Sequence, residues 1–62
     1  MDRLMTVTEV HEKTRLAVQT IYQMVSAGKI PYIKLGSRLL FIEEDVDQWI
    51  QSHRVAAKTM PD

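Results

Sequence analysis

The stretch PYIKLGSRLLFI, residues 31–42, interrupts a chain whose other apolar residues fall at helical spacing, and it constrains the fold more than any other. Tyr32, Ile33 and Leu35 precede Gly36-Ser37, and Leu39, Leu40 and Phe41 follow it. Gly-Ser is a favoured two-residue hairpin turn, because glycine supplies the positive φ that the tight primed turns require. Strands are expected at about 32–35 and 38–41. Apolar residues occupy both parities (Tyr32, Leu39 and Phe41 against Ile33, Leu35 and Leu40), so alternation does not say which face is buried. A two-stranded hairpin is marginal alone in water. The flanking segments must therefore cover it.

Those segments read as helices. Thr6 and Glu9 have the S/T-x-x-E spacing of a capping box, and Val7 and Val10 follow three apart, which predicts a short helix at about 7–13. Three residues, Thr14 to Leu16, separate it from a second stripe. There Val18, Ile21, Tyr22 and Val25 fall at i, i+3, i+4 and i+7, with Met24 beside them and Gln19, Thr20, Gln23 and Ser26 opposite. This predicts a second helix at about 17–27, ended by Gly28 at a C-cap position, with Pro31 beyond it. Its start is weakly capped, since Ala17 has no side-chain oxygen and costs about 1 kcal/mol relative to Ser or Asp. The third helix is EEDVDQWIQSH. Its first turns carry Glu43, Glu44, Asp45 and Asp47, which suits the positive end of the helix dipole, and Val46, Trp49 and Ile50 form its apolar stripe.

The order is helix, turn, helix, hairpin, helix. The expected fold is α+β and mostly helical: a small winged helix-turn-helix, with a two-stranded wing between the second and third helices. Residues 1–53 are expected to form that domain, and residues 54–62 a flexible tail. Sixty-two residues lie near the lower limit for independent folding, where an apolar core supplies about 3–5 kcal/mol at most. There is no cysteine to add a disulfide or a thiolate ligand, and His11 and His53 lack metal-ligand spacing. No membrane-length apolar run or signal-peptide core is present, so a soluble, cytoplasmic chain is expected. No catalytic triad, phosphate-cradling glycine loop or isolated acid pair points to an enzyme. The acids of the third helix are accounted for by its dipole without invoking a cation.

TVTEV in the first helix, TIYQMVSAGKIP across the second, IKLGSRLLF in the hairpin and EEDVDQWI in the third resemble the excisionase-type family of small DNA-binding proteins, relatives of the MerR-like winged-helix domains. The resemblance spans about residues 4–51 and rests on the order and spacing of these motifs together. It implies a protein without enzymatic activity or cofactor that binds double-stranded DNA beside phage or mobile-element attachment sites. Such a protein bends the DNA, often binds it in tandem copies, and assists an integrase in excision. Small phage or prophage transcription regulators belong to the same family. A bacterial or phage-encoded protein acting at the nucleoid is implied, with no membrane and no small-molecule substrate. This chain departs from the family pattern at Thr14-Arg15, where Leu-Gly is common, at Ala17, where Ser is usual, and at Gln23 and Leu40, where bases are frequent. The departures bear on sequence preference, affinity and turn geometry.

With the second helix in the major groove, Gln19, Thr20 and Gln23 are placed to reach base edges or phosphates, since glutamine pairs bidentately with adenine and threonine contacts the thymine methyl. The bland reading of the same residues is a solvated polar face. Ala17 and Val18 stand at the DNA surface by the family pattern, though Val18 equally starts the core stripe. Tyr22 is expected half in the core, with its hydroxyl free for a phosphate. In the wing, Lys34, Ser37 and Arg38 surround the tip. Arg38 is the candidate for a narrow minor groove, and Ser37 for a phosphate. The bland alternative is that these charges keep a sheet edge soluble. Lys13, Arg15 and Lys29 are further phosphate candidates.

The net charge counts against nucleic acid, because eight bases balance eight acids. The balance is not local. From Lys13 to Ile42 there are five bases and no acid, whereas the remainder holds three bases and all eight acids. A domain with a basic face and an acidic back is expected. It has few phosphate contacts and therefore needs several copies or a recombinase on the same DNA. A protein-interaction module that has kept the winged fold, with Ile33, Leu35 and Leu40 as an apolar surface, is the alternative from a different class.

Overall fold

The computed structural model describes residues 3–55. Six elements follow one another: β1 (Leu4–Met5), α1 (Val7–Thr14), α2 (Val18–Ser26), β2 (Ile33–Leu35), β3 (Arg38–Ile42) and α3 (Glu43–Ser52). The three helices and the hairpin fall where the sequence places them. The flexible tail expected from residue 54 onward lies, beyond residue 55, outside the described residues.

Thr6 caps α1 through the reciprocal pair that its spacing with Glu9 implies. The Glu9 amide donates to Thr6 Oγ1 at 3.2 Å, and the Thr6 amide to Glu9 Oε1 at 2.9 Å. Met5 and Val10 flank this cap at the N′ and N4 positions of a hydrophobic staple, and both are buried in one cluster. The start of α2 has no side-chain cap at Ala17, as its sequence implies. Its end is a Schellman closure: the Gly28 amide donates to Val25 O and the Lys29 amide to Met24 O, at 3.0 and 2.8 Å, with Gly28 at φ 69°.

The sheet has one strand more than the hairpin. Leu4–Met5 pairs antiparallel with β3 to give the order β1-β3-β2, with Leu4 opposite Ile42 and Met5 opposite Phe41. Two residues are too few to show an alternation, so the sequence pattern starts at the Thr6 cap instead. The wing pairs Ile33 with Leu40, Lys34 with Leu39, and Leu35 with Arg38, which leaves Gly36-Ser37 as a two-residue loop. Positive φ occurs at Gly36 and not at Ser37, the pattern of a type II′ turn.

Burial resolves the parity. Phe41 is fully buried and Leu39 packs on the core, so these two face the helices. Arg38, Leu40 and Ile42 face away, and their pairing carries Leu4, Ile33 and Leu35 to the same outer face. The core consists of Met5, Val10, Ile21, Ile30, Phe41 and Val46, with Val7, Leu16, Met24, Val25, Leu39 and Trp49 packed around it. Every helix contributes to this cluster, as do β1 through Met5 and β3 through Leu39 and Phe41. Ile50, placed in the third helix's stripe by its spacing, lies at the exposed edge of it. Two hydrogen bonds fix α3: the Glu43 amide donates to Arg3 O at 2.9 Å, and the Trp49 indole donates to Lys29 O at 2.9 Å.

Candidate nucleic-acid interface

Ile21 is fully buried, and it sets the rotation of α2. Gln19, Tyr22, Gln23 and Ser26 then fall on the exposed side, at i, i+3, i+4 and i+7. Tyr22 is 49% exposed, so about half of this residue is open to solvent. Val18 and Thr20 are half-buried and flank the stripe, and Ala17 is exposed at its start. Ser26 extends the stripe by a further turn. Its spacing of seven from Gln19 is the signal that places it there, and sequence reasoning left it among the merely polar residues.

In the wing, Lys34, Ser37 and Arg38 are all exposed. The pleat sends the two bases in opposite directions: Lys34 shares the side of Leu39, which carries the helices, and Arg38 shares the outer side with Leu35. A surface that meets α2 and the wing tip together therefore meets Lys34 from one face of the hairpin and Arg38 from the other.

The basic residues divide into two groups. Lys13 Nζ lies 2.8 Å from Asp47 Oδ1 and 3.7 Å from Glu43 Oε2. Arg3 bridges Glu9 at 2.6 Å and Glu43 at 3.4 Å. The hydrogen bond to Asp47 holds the Lys13 pKa above its ordinary value of 10.5; partial desolvation opposes this, and the charges of Asp47 and Glu43 reinforce it. Of the three phosphate candidates outside α2 and the wing, Lys13 thus lies among the acids of α1 and α3. Arg15, Lys29, Lys34 and Arg38 are exposed and make no ion pair among the described residues. The acid-free stretch therefore presents four uncommitted bases rather than five.

The other surface features lie elsewhere. An open groove lies between the C-terminal ends of α1 and α3, lined by Leu16, Trp49, Ile50 and His53 among others. None of the α2 stripe or the wing borders it. No group of three His, Asp or Glu residues among the described residues is arranged to hold a metal ion. No helix among them is long and apolar enough to cross a membrane.

Comparison with known proteins adds one finding. Neither the curated proteins nor the solved structures include a match to the chain. A family model described as a helix-turn-helix domain matches residues 4–54, which spans β1 through the end of α3. The matched region holds both the exposed α2 stripe and the wing, and the fold is that of a small winged helix-turn-helix. With the family model covering most of its length, the chain belongs to the helix-turn-helix domain family, which implies DNA as its partner.

Proposed function

We propose that this protein is a sequence-specific, double-stranded-DNA-binding accessory factor of the excisionase type. It binds and bends DNA at phage or mobile-element attachment sites and so favours excision by an integrase. The observation that carries the DNA-binding part is the rotation of α2, which leaves Gln19, Tyr22 and Gln23 exposed in one row beside bases that make no ion pair among the described residues. In this reading α2 lies in the major groove. Gln19 and Gln23 read base edges, glutamine being matched to the N6 and N7 of adenine. Thr20, at the margin of the row, offers its methyl to thymine, and Ala17 and Val18 form the apolar shoulder where the helix enters the groove. The Tyr22 hydroxyl donates to a phosphate. Arg38 enters the minor groove from the wing, with Lys34 and Ser37 on the flanking backbone. Lys29 and Arg15 supply phosphate contacts at the two ends of α2.

Four uncommitted bases make a weak binder. The slope of log affinity on log salt is about −0.9 per phosphate contact, so a monomer is expected near −3 to −4. Function then rests on several copies, or on a recombinase, on one DNA. The decisive assay is a gel shift across the element's own attachment region against random duplex, repeated over a salt series. Strong, salt-insensitive binding by a monomer is incompatible with this reading. Q23A and R38A are each expected to lose about 1–3 kcal/mol if those residues reach bases. Placement of the gene beside an integrase gene separates an excision factor from a small transcription regulator of the same family.

A second reading, a protein-interaction module without DNA binding, is favoured by the outer sheet face. Leu4, Ile33, Leu35, Leu40 and Ile42 share that face, none packs on the core, and Leu35 is 52% exposed. Absence of any gel shift, together with concentration-dependent association lost in L35S, supports it instead.

A further inference from the structure

Among the described residues, Arg15 is the only one other than glycine with a positive φ, at φ 67° and ψ 10°. An L side chain in this region crowds the following carbonyl, a cost that glycine avoids. The turn that imposes this conformation is held without the Arg15 side chain. The Arg15 amide donates to His11 O at 2.8 Å, and the Leu16 amide donates to Thr14 Oγ1 at 3.2 Å. Thr14 Oγ1 itself donates to Val10 O at 2.8 Å. His11 Nδ1 lies 2.6 Å from Leu16 O, and a carbonyl only accepts, so this nitrogen carries the proton. Each of these bonds would form equally well around a glycine.

The side chain gives the fold nothing in return. It is exposed and makes no hydrogen bond or ion pair among the described residues. Glu12 lines the same shallow depression as Arg15 and His11 without pairing with Arg15. Lys13, two residues earlier, shows the contrast, with its charge taken by Asp47 and Glu43. A residue that strains its own backbone and makes no hydrogen bond or ion pair among the described residues is available for a contact outside the domain. Arg15 stands two residues before the exposed start of α2, where no side chain caps the helix amides.

We propose that Arg15 is a phosphate-binding residue: its guanidinium clamps one phosphodiester bidentately where α2 enters the groove, and the strained turn is retained for that contact. The inference rests on the DNA-binding reading and adds to it a conflict between stability and affinity at one position.

The test uses the full chain, a labelled random-sequence duplex at low salt, and thermal unfolding. A random duplex suffices because a phosphate contact is independent of sequence. R15G is expected to raise the unfolding midpoint by roughly 4 °C or more, by relieving the strain. The same variant is expected to bind about threefold to tenfold more weakly, with its salt slope shallower by about 0.9. R15A keeps the strain and loses the charge, so it should lose the same affinity without the gain in midpoint. R15K keeps the strain and the charge but not the two-pronged fork, so its salt slope should match the parent's while its affinity falls between those of the parent and R15A. An R15G protein that matches the parent in affinity and slope overturns the assignment while DNA binding stands. An R15G protein that is no more stable than the parent overturns the conflict. Failure of the parent itself to bind any duplex removes the DNA-binding reading, and the assignment with it.

Discussion

Gly28 and Gly36 hold φ at 69° and 60°, and a Cβ added at either would meet nothing within 4 Å. Their requirement is therefore one of backbone conformation and not of space. G28A and G36A are each expected to cost about 1 kcal/mol, lowering the unfolding midpoint by about 4–8 °C. D-alanine at the same positions, introduced by chemical synthesis, should raise the midpoint, because its preferred φ is positive and it narrows the unfolded ensemble. Thermal unfolding of the four variants checks both signs. These glycines were legible in the sequence because a helix end and a two-residue hairpin each demand one. Arg15 was not legible in the same way. The sequence places it in a turn, but its left-handed backbone goes with bonds among His11, Thr14, Arg15 and Leu16 that close the end of α1, a pattern that no residue type at position 15 announces.

The elements differ in how much their own residues determine. The start of α1 is specified locally by Thr6 and Glu9, and it formed as the spacing implies. The start of α2 is not, and Ala17 already has the extended φ −61° and ψ 146° of an N-cap. A17S is thus expected to stabilise the protein by about 1 kcal/mol, read as a shift in the urea midpoint at constant slope. A17D should stabilise similarly but weaken binding to any duplex, because its carboxylate stands at the end of α2 proposed to meet phosphates. β1 and the register of the wing illustrate the opposite case. Leu4 and Met5 carry no strand signal of their own, and the apolar residues of β3 fit either face. Pairing with β1 and coverage by the helices make the choice, and both are tertiary effects. The candidate interface was legible to the extent that it is helical: once Ile21 is buried, the exposure of Gln19, Tyr22 and Gln23 follows. The fate of Lys13 was not, because Asp47 lies thirty-four residues away in sequence and beside it only in the fold.

At the scale of the molecule, opposite charges are kept apart in an uncharged chain. Arg3 and Lys13 tie α1 to the acidic start of α3, and the remaining bases of the acid-free stretch stay uncommitted. The raised pKa of Lys13 fixes the sign of a pH effect. Its contribution to stability is fully present below its ordinary value of 10.5 and is lost as pH rises through the higher folded value. K13M should therefore be less stable than the parent at neutral pH, with the gap closing in strongly alkaline solution. Urea midpoints of the two proteins across that range measure it. The same variant should bind DNA as the parent does, since Lys13 faces the acids. β1 has a consequence for the route by which the chain folds. The wing closes a two-residue loop, an event of about 1–10 μs, whereas joining Leu4 to Ile42 closes a loop enclosing most of the domain. The first strand is thus expected to close late, outside the folding nucleus. M5A, measured by stopped-flow, should accelerate unfolding and leave refolding nearly unchanged. The lifetime of the folded state, and with it resistance to proteases, is then set by two residues, Leu4 and Met5, that neither α2 nor the wing contains.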